Sequence, residues 1–500
     1  MRGLLVYMSG IAGIVLIEPL SDAESAICRM SKALQHRGNE LLHRTLYGKN
    51  SSSRALISVR AYEQNAALID STQDHLLVVD SFPLFDEREG RDPFQNPDVF
   101  NTISLRIDAS GLRIRRSLDG TRGLYYVRLD HGIAFASEKK CIWAIAQEKS
   151  GILDPGDVLS FTWEGRLDIT HLRGLQMPAI DRAVERFTAI EELQKTLNAS
   201  FRNLKRANKC AVLFSGGVDS ALAALLTKMN CRDTLLVTAA CKGSHDEEAA
   251  VKSAELMATK SIVVEVDAAS LWEALPEVIH SIETSNRMQV EIALPLFFAA
   301  REAKRRGYNM MVSGQGPDEL FAGYERHEIL MKKEGDSAVE RTLWNEVSIT
   351  HETNIQRDAR AIAAAGVDVF FPYLYPPFVR TAMSLPASLK VNPLVTPSRK
   401  IIFRELAENL GLPHDIAVKR KRAAQFSSGA AKLLSTSIIQ RLEASVKLNK
   451  REASNVVQRV LDTIAMRLGI PNVTNKSDLE VDLEPTRRLQ QRLGISTAPD

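Results

Sequence analysis

The chain has 500 residues, of which 45% are hydrophobic and 25% charged, as in soluble globular proteins of more than one domain. Lysine and arginine total 64 against 61 acidic residues, a net charge of +3, so neither nucleic acid nor an anionic membrane is expected as the main partner. No apolar run reaches the length of a membrane-spanning helix.

The five cysteines, Cys28, Cys141, Cys210, Cys231 and Cys241, form no C-x-x-C pair, which fits reduced thiols and a cytoplasmic location. The opening MRGLLVYMSGIAGIVLIEP has the layout of a secretory signal. Its apolar stretch, however, is broken by Gly and Ser and continues into a plausible domain. The segment MSGIAGIV (8–15) therefore reads either as a buried strand or as a catalytic N-terminus that has lost its nucleophile.

Short strands are expected through about residue 170: LISVRAY (56–62), HLLVVDSF (75–82), LYYVRLD (124–130) and GIAFASE (132–138). A Pro-Gly turn in LDPGDVLSF (153–161) leads into another. The composition then shifts. Thr188 followed by Glu191 predicts a capping-box helix start, with Ile190, Leu193, Leu197, Phe201 and Leu204 on one face. Apolar strands AVLF (211–214), TLLVTA (234–239), SIVVEVD (261–267) and NMMVS (309–313) alternate with helices, which indicates a parallel sheet covered on both faces. The last 70 residues or so read as helical and charged, a solvated cap or an oligomer contact.

The segment AVLFSGGVDSALAALLTKM (211–229) carries the strongest chemical signal. A strand runs into Ser215-Gly216-Gly217-Val218-Asp219-Ser220, and a helix is expected from near Ala221. Two glycines permit a tight turn, and the helix N-terminus offers amide donors to phosphate. An aspartate beside phosphate calls for a bridging Mg²⁺. The bland alternative is a strand-to-helix turn with a capping serine. A second loop, NMMVSGQGPDELFAGYERH (309–327), again follows an apolar strand and supplies Asp318 and Glu319. In a doubly wound sheet both loops open at the carboxyl ends of strands, where ligands bind, so Asp219 and Asp318 could share one metal.

These two loops together resemble the synthetase domain of the asparagine synthetase family, within the PP-loop ATP pyrophosphatases. Further segments match in the family's order: SHDEEAAVKSAELM (244–257), IETSNRMQVEIALPL (282–296), NIQRDAR (354–360), FFPYLYPPFVRTAMSLP (370–386) and KRKRAAQFSSG (419–429). The resemblance implies ATP and Mg²⁺ as cofactors and aspartate with ammonia or glutamine as substrates. Aspartate would be adenylated, pyrophosphate released and the β-aspartyl-AMP amidated to asparagine. It places ATP and pyrophosphate on Ser215, Gly216, Gly217, Asp219, Ser220, Val237, Thr238, Ser313, Gly314, Gln315 and Gly316, with adenine at the backbone of Val237 and Thr238. Asp219 and Asp318 would hold the metal, and Glu283 lies in the substrate segment. Lys421, or else Lys419, would stabilise the α-phosphate. Two departures stand out. Gln315 replaces a glutamate common in relatives, and residues 368–375 lose the family's arginine and final aspartate.

Residues 8 to about 175 resemble the family's glutaminase domain, with ALQHRGNE (33–40), SLDGTRGLYYVRLD (117–130) and FASEKKCIWAI (135–145) as matching segments. Ser9 stands where the nucleophilic cysteine belongs, and a serine hydroxyl is far less nucleophilic than a partly ionised thiol. Arg60 stands at the glutamine-carboxylate position. Asp80 and Ser81 replace the oxyanion-stabilising Asn-Gly, and an anionic Asp80 would oppose an oxyanion. Glutaminase activity is expected to be lost unless translation begins at Met8, which would free Ser9 as the N-terminus.

The expected organisation is an αββα, Ntn-hydrolase-like domain at 8–180, a doubly wound PP-loop domain at 185–430 and a helical extension at 431–500. A homodimer is compatible. Two other readings stay open: the same adenylation with a different acceptor, as in β-lactam synthetases, and a non-catalytic nucleotide-binding protein.

Overall fold

The computed structural model describes residues 9–48, 52–61, 68–72, 74–81, 94, 100–146, 150–171, 176–419, 428–442, 450–471 and 483–495. Met8, Lys421 and Asn472 lie outside them. The first part builds twelve strands: β1 (Ser9–Leu16), β2 (Asn39–Tyr47), β3 (Arg54–Ala61), β4 (Leu68–Ser71), β5 (Leu76–Ser81), β6 (Thr102–Asp108), β7 (Gly111–Arg116), β8 (Tyr125–Leu129), β9 (Gly132–Ala136), β10 (Gly151–Ile152), β11 (Val158–Thr162) and β12 (Leu167–Thr170). They form two six-stranded sheets, ordered β10-β8-β9-β1-β3-β2 and β12-β11-β7-β6-β5-β4, with antiparallel pairing throughout.

The apolar run of β1 follows from its place inside the first sheet. It pairs with β3 and β9, with Gly13 opposite both Ile57 and Phe135. Side chains alternate across a strand, so one face takes Ile11 and Val15 and the other Ala12, Ile14 and Leu16. Ile11 and Val15 join the apolar layer that also holds Leu76, Leu105 and Ile114 of the second sheet. Ala12, Ile14 and Leu16 pack with the helices α1 (Ala23–Ala33) and α2 (Lys139–Trp143) on the outer face. A strand buried on both faces needs no polar alternation. Gly13 is small because the Phe135 ring lies against it; a Cβ there would overlap the ring and come within 2.7 Å of Ile57 Cδ1.

The second part is built on a parallel sheet. Its strands β13 (Lys209–Leu213), β14 (Asp233–Ala240), β15 (Ser261–Glu265), β16 (Met310–Val312) and β17 (Asp368–Phe370) lie in the order β15-β14-β13-β16-β17, every pair parallel. The chain steps outward from β13 through β14 to β15, then returns to the other side of β13 as β16. The order therefore reverses between β13 and β16, the topological switch at which crevices open. Helices α3 (Arg186–Arg202) and α4 (Val218–Asn230) cover one face. Helices α6 (Ala268–Ile282) and α7 (Arg287–Arg305) cover the other, together with C-terminal helices at Ala430–Arg441, Lys450–Arg467 and Glu484–Leu493. Between β14 and β15 runs α5 (His245–Leu256).

The apolar face expected of α3 is buried as read. Two helix starts differ from the sequence reading. α3 begins at Arg186 rather than at Thr188, and its N-cap Glu185 makes no side-chain capping bond, so the capping box does not form. α4 begins at Val218 rather than near Ala221. The second half of SGGVDS is thus already helical, and Asp219 sits in the first turn, where a carboxylate is favoured by the helix dipole.

The two parts are joined by buried polar contacts. Arg122 Nη2 lies 2.8 Å from Asp368 of β17, and the Lys140 amide donates to Glu283 Oε1 at 2.8 Å. Gly13→Ala is expected to destabilise the chain by about 1–3 kcal/mol, because the Phe135 ring has nowhere to move in a close-packed interior. Denaturant unfolding of the variant against the parent checks this.

Candidate active site

At the carboxyl ends of β13, β14 and β16 a cleft of about 530 Å³ opens, a size that takes a small-molecule ligand. SGGVDS forms one lip. Gly216 has φ +71°, and a Cβ there would strike the Ala249 carbonyl, so only glycine fits the turn. The loop is fastened from within: Ser220 Oγ accepts from the Ser215 amide at 3.2 Å and donates to the Gly217 carbonyl at 3.1 Å. Ser253 Oγ donates to the Gly216 carbonyl at 2.9 Å. The second loop packs on the first, and a Cβ on Gly314 would come within 2.9 Å of the Ser220 amide nitrogen.

The two loops converge on one buried ammonium. Lys400 Nζ lies 2.7 and 2.5 Å from the two carboxylate oxygens of Asp219 and 2.7 Å from Asp318 Oδ1. Lys400 is 1% exposed. Burial lowers its pKa, while Asp219 opposes the shift. Its backbone is left-handed, φ +56°, immediately before the helix Ile401–Asn409, which turns the side chain back toward the loops. Gly323 leaves the room for this contact, since a Cβ there would overlap Asp318 Oδ1 and Lys400 Cε. Two carboxylates drawn together are a hard-oxygen donor set, and their chemistry fits a Mg²⁺ ion.

Most of the expected residues meet here. Ser215, Gly217, Asp219, Ser220, Val237, Thr238, Ser313, Gly314, Gln315 and Asp318 line the cleft, as does Lys419. Gly216 and Gly316, both at positive φ, shape the turns behind it. The Val237 carbonyl already accepts the Phe214 amide at 3.0 Å, and Thr238 Oγ1 donates to the Phe214 carbonyl at 2.5 Å. Lys419 Nζ reaches the Gly216 and Ala249 carbonyls at 3.5 Å each, and burial lowers its pKa. Glu319 is buried behind the loop, where it accepts from Tyr324 Oη at 2.6 Å; burial raises its pKa.

Glu283 is not brought into the cleft. It caps α6 at φ +61° and spends one carboxylate oxygen on the Lys140 amide, while the other lies 2.9 Å from Arg360 Nη1. Its surroundings are the junction with the first sheet. Conversely, three cleft features escape the sequence reading. Lys400 stands alone in SRKIIFREL with no spacing signal. Arg357, 2.7 Å from Asp358, brings a guanidinium to the cleft. Tyr373, in the altered 368–375 stretch, donates to the Asp219 carbonyl at 2.9 Å.

The glutaminase-like residues meet elsewhere. Ser9, Arg37, Asp80, Asn101, Thr121 and Arg122 line a cavity of only about 30 Å³ that also touches Arg360 and Asp368. Ser9 is 1% exposed, and its hydroxyl stands against the Asp80 carboxylate. Asp80 is equally buried; burial raises its pKa, and Arg122 at 3.2 Å opposes this. Arg122 joins Asp80 to Asp368, so one guanidinium spans both parts of the chain. Arg60 does not face this cavity: it donates to Ser31 Oγ at 2.9 Å and to the Gly38 carbonyl at 3.2 Å. His36 and Arg37 of the His-Arg-Gly turn both contact Glu138, at 2.9 and 2.7 Å. Ser81 ends β5, paired with Thr102.

Comparison with known proteins bears on the parallel-sheet part above all. The asparagine synthase family model matches residues 192–335 and 331–467, more than half of the chain. The chain is 29% identical over 374 residues to a Methanocaldococcus jannaschii protein named "Putative asparagine synthetase [glutamine-hydrolyzing] 1", covering 65% of this chain and 68% of the relative. It is also 29% identical over 247 residues to asparagine synthetase [glutamine-hydrolyzing] 1 of Arabidopsis thaliana, covering 46% of this chain and 41% of that one. The match to the asparagine synthetase of Asparagus officinalis, 29% over 232 residues, covers 44% of this chain and 38% of the relative. The chain thus spans about two fifths of the length of the plant relatives. With both glycine loops, their two aspartates and the switch-point cleft inside the matched segment, the chain belongs to the asparagine synthase family.

Proposed function

We propose that the chain is an asparagine synthetase-like, ATP-dependent C–N ligase that amidates aspartate with ammonia. The observation that carries the reading is the meeting of Asp219 and Asp318 on Lys400, beneath two glycine loops at the head of α4. The aspartate β-carboxylate would attack the α-phosphorus of ATP, and the bond to the β-phosphate oxygen breaks as pyrophosphate leaves. Ammonia then attacks the acyl carbon, AMP departs with the bonding pair, and the nitrogen sheds a proton. Amides of the SGGVDS loop and the α4 N-terminus hold the polyphosphate. Lys400 neutralises charge that builds on the leaving pyrophosphate, where fixed donors act most strongly. Asp219 and Asp318 would hold Mg²⁺, which supplies charge neutralisation on the phosphates when bound. Arg357 is placed to take an acceptor carboxylate, and Lys419 reaches the Gly216 carbonyl of the SGGVDS loop. The domain division at about 180 and the helical extension from 431 are part of the same reading.

Ammonia is preferred over glutamine because the Ser9 cavity is far too small for glutamine, and the carboxylate beside the Ser9 hydroxyl, Asp80, is held by Arg122. Asp80 stands where oxyanion donors are needed and is committed to Arg122. A different acceptor remains a second reading, favoured by Glu283, which faces Arg360 and not the cleft.

Pyrophosphate release with ATP, Mg²⁺ and aspartate should require ammonium, and glutamine should not replace it. Ser9→Ala should leave the ammonium rate unchanged. Glutamine-driven release that disappears in Ser9→Ala would overturn the ammonia assignment; release with a carboxylate other than aspartate would overturn the acceptor. Asp219→Asn and Asp318→Asn are each expected to slow pyrophosphate release by about 10²-fold or more. ATP turnover retained in both would remove the basis of the ligase reading. Gly323→Ala, which leaves every charged group in place, should lower the rate as well, because its methyl displaces Asp318 from Lys400. Circular dichroism of each variant separates a lost site from a lost fold.

A further inference from the structure

Away from the cleft, one histidine nitrogen is left in a position that an imidazole rarely tolerates. His351 opens a π-helical turn, His351–Ile355, ahead of the helix Gln356–Ala364. It is 6% exposed. Its Nδ1 lies 2.9 Å from the Ser348 carbonyl, an acceptor only, so Nδ1 carries the proton and Nε2 presents a lone pair. That Nε2 is buried and makes no hydrogen bond. Around it stand two carboxylates, Glu352 with Oε1 at 3.5 Å and Asp154 from the loop before β11, all three ligand atoms within 4.8 Å of one another. Among the described residues neither carboxylate forms a close ion pair with a lysine or arginine, though Arg116 acts on both at longer range and Lys139 on Glu352. Arg116 is close by, but its guanidinium donates to the carbonyls of Arg122, Leu153 and Gly120.

A lone pair facing two anions is repulsive unless a cation or a donor lies between them. We propose that Asp154, His351 and Glu352 form a divalent transition-metal site, with Zn²⁺ as the expected ion, that ties the first part of the chain to the turn leading into the cleft-lining helix. A carbonyl-bound Nδ1–H is the arrangement that orients a metal-binding imidazole. One nitrogen with two carboxylate oxygens is a zinc-type donor set. Bonds of about 2.0–2.2 Å in a tetrahedron put neighbouring donors roughly 3.4 Å apart, close to the Nε2–Oε1 separation seen here. Gly120 makes room for His351: φ is +62°, and a Cβ would come within 2.9 Å of His351 Cβ. The turn itself contributes Asn354 to the cleft, and the following helix adds Arg357 and Asp358 there and Gln356 and Arg360 to the Ser9 cavity, so an ion at its head would fix the register of both.

The test uses the full chain, stripped with chelator and titrated with Zn²⁺ against a chromophoric chelator in millimolar Mg²⁺, which competes for a carboxylate-only site. One tight equivalent is expected, with a visible Co²⁺ spectrum of nitrogen–oxygen ligation. His351→Ala, and separately the exposed pair Asp154→Asn with Glu352→Gln, should each weaken Zn²⁺ binding by about 100-fold while the apo melting temperature of the paired variant stays near the parent's. No stoichiometric uptake by the parent, or equal uptake by both variants, would overturn the site and leave a buried water as the partner of Nε2. The readout is metal content and does not depend on the ligase reaction.

Discussion

The second half of the chain is organised around the burial of an ammonium between two carboxylates. Asp219 and Asp318 come from loops more than ninety residues apart in sequence, yet they close on Lys400 at hydrogen-bonding distance. Two anions at that range in a dry interior are unstable without a cation, and removing one member of such a buried group typically costs about 3–5 kcal/mol. Satisfying Lys400 therefore demands that β13 and β16 be adjacent and parallel, that Gly314 and Gly323 lack side chains, and that Tyr373 steady the Asp219 backbone. The same contact that closes the structure sets the charges lining the cleft, since Asp219, Asp318 and Lys400 all form its wall.

The first half contributes a small polar cavity at its junction with the second. Ser9 opens β1, and Asp80 and Arg122 take up the space beside its hydroxyl. Arg122 also reaches Asp368, in the stretch where the family's arginine and final aspartate are missing. Those replacements coincide with the junction: the cavity and the altered stretch now share one guanidinium. Glu283, accepting from the Lys140 amide, makes a second such contact and is thereby a junction residue. The helix Gln356–Ala364 lies between the two cavities, so any cation at its π-helical head acts on both.

Much of this was legible in the sequence. β1 reads as a buried strand because its residues are apolar on both faces, and four of the five parallel strands read as apolar runs between helices, whereas the three-residue β17 is too short to show a pattern. Ser215 to Ser220 and Ser313 to Asp318 are legible because short spacings encode a local geometry, a strand that turns on glycine into a helix. Helix starts were read less well: α3 and α4 each begin earlier than the local signals suggest, since packing of the apolar face extends a helix past its nominal cap.

The sequence by itself determined the class of fold and the two glycine loops, for each of these is written in neighbouring residues. Only the tertiary structure decided that Lys400 joins the two aspartates, that Glu283 turns away from the cleft, that Asp80 pairs with Arg122, and that His351 meets Asp154. Each of those joins side chains far apart in the chain, and a pairing that exists only once strands and helices have packed leaves no periodicity or spacing to read.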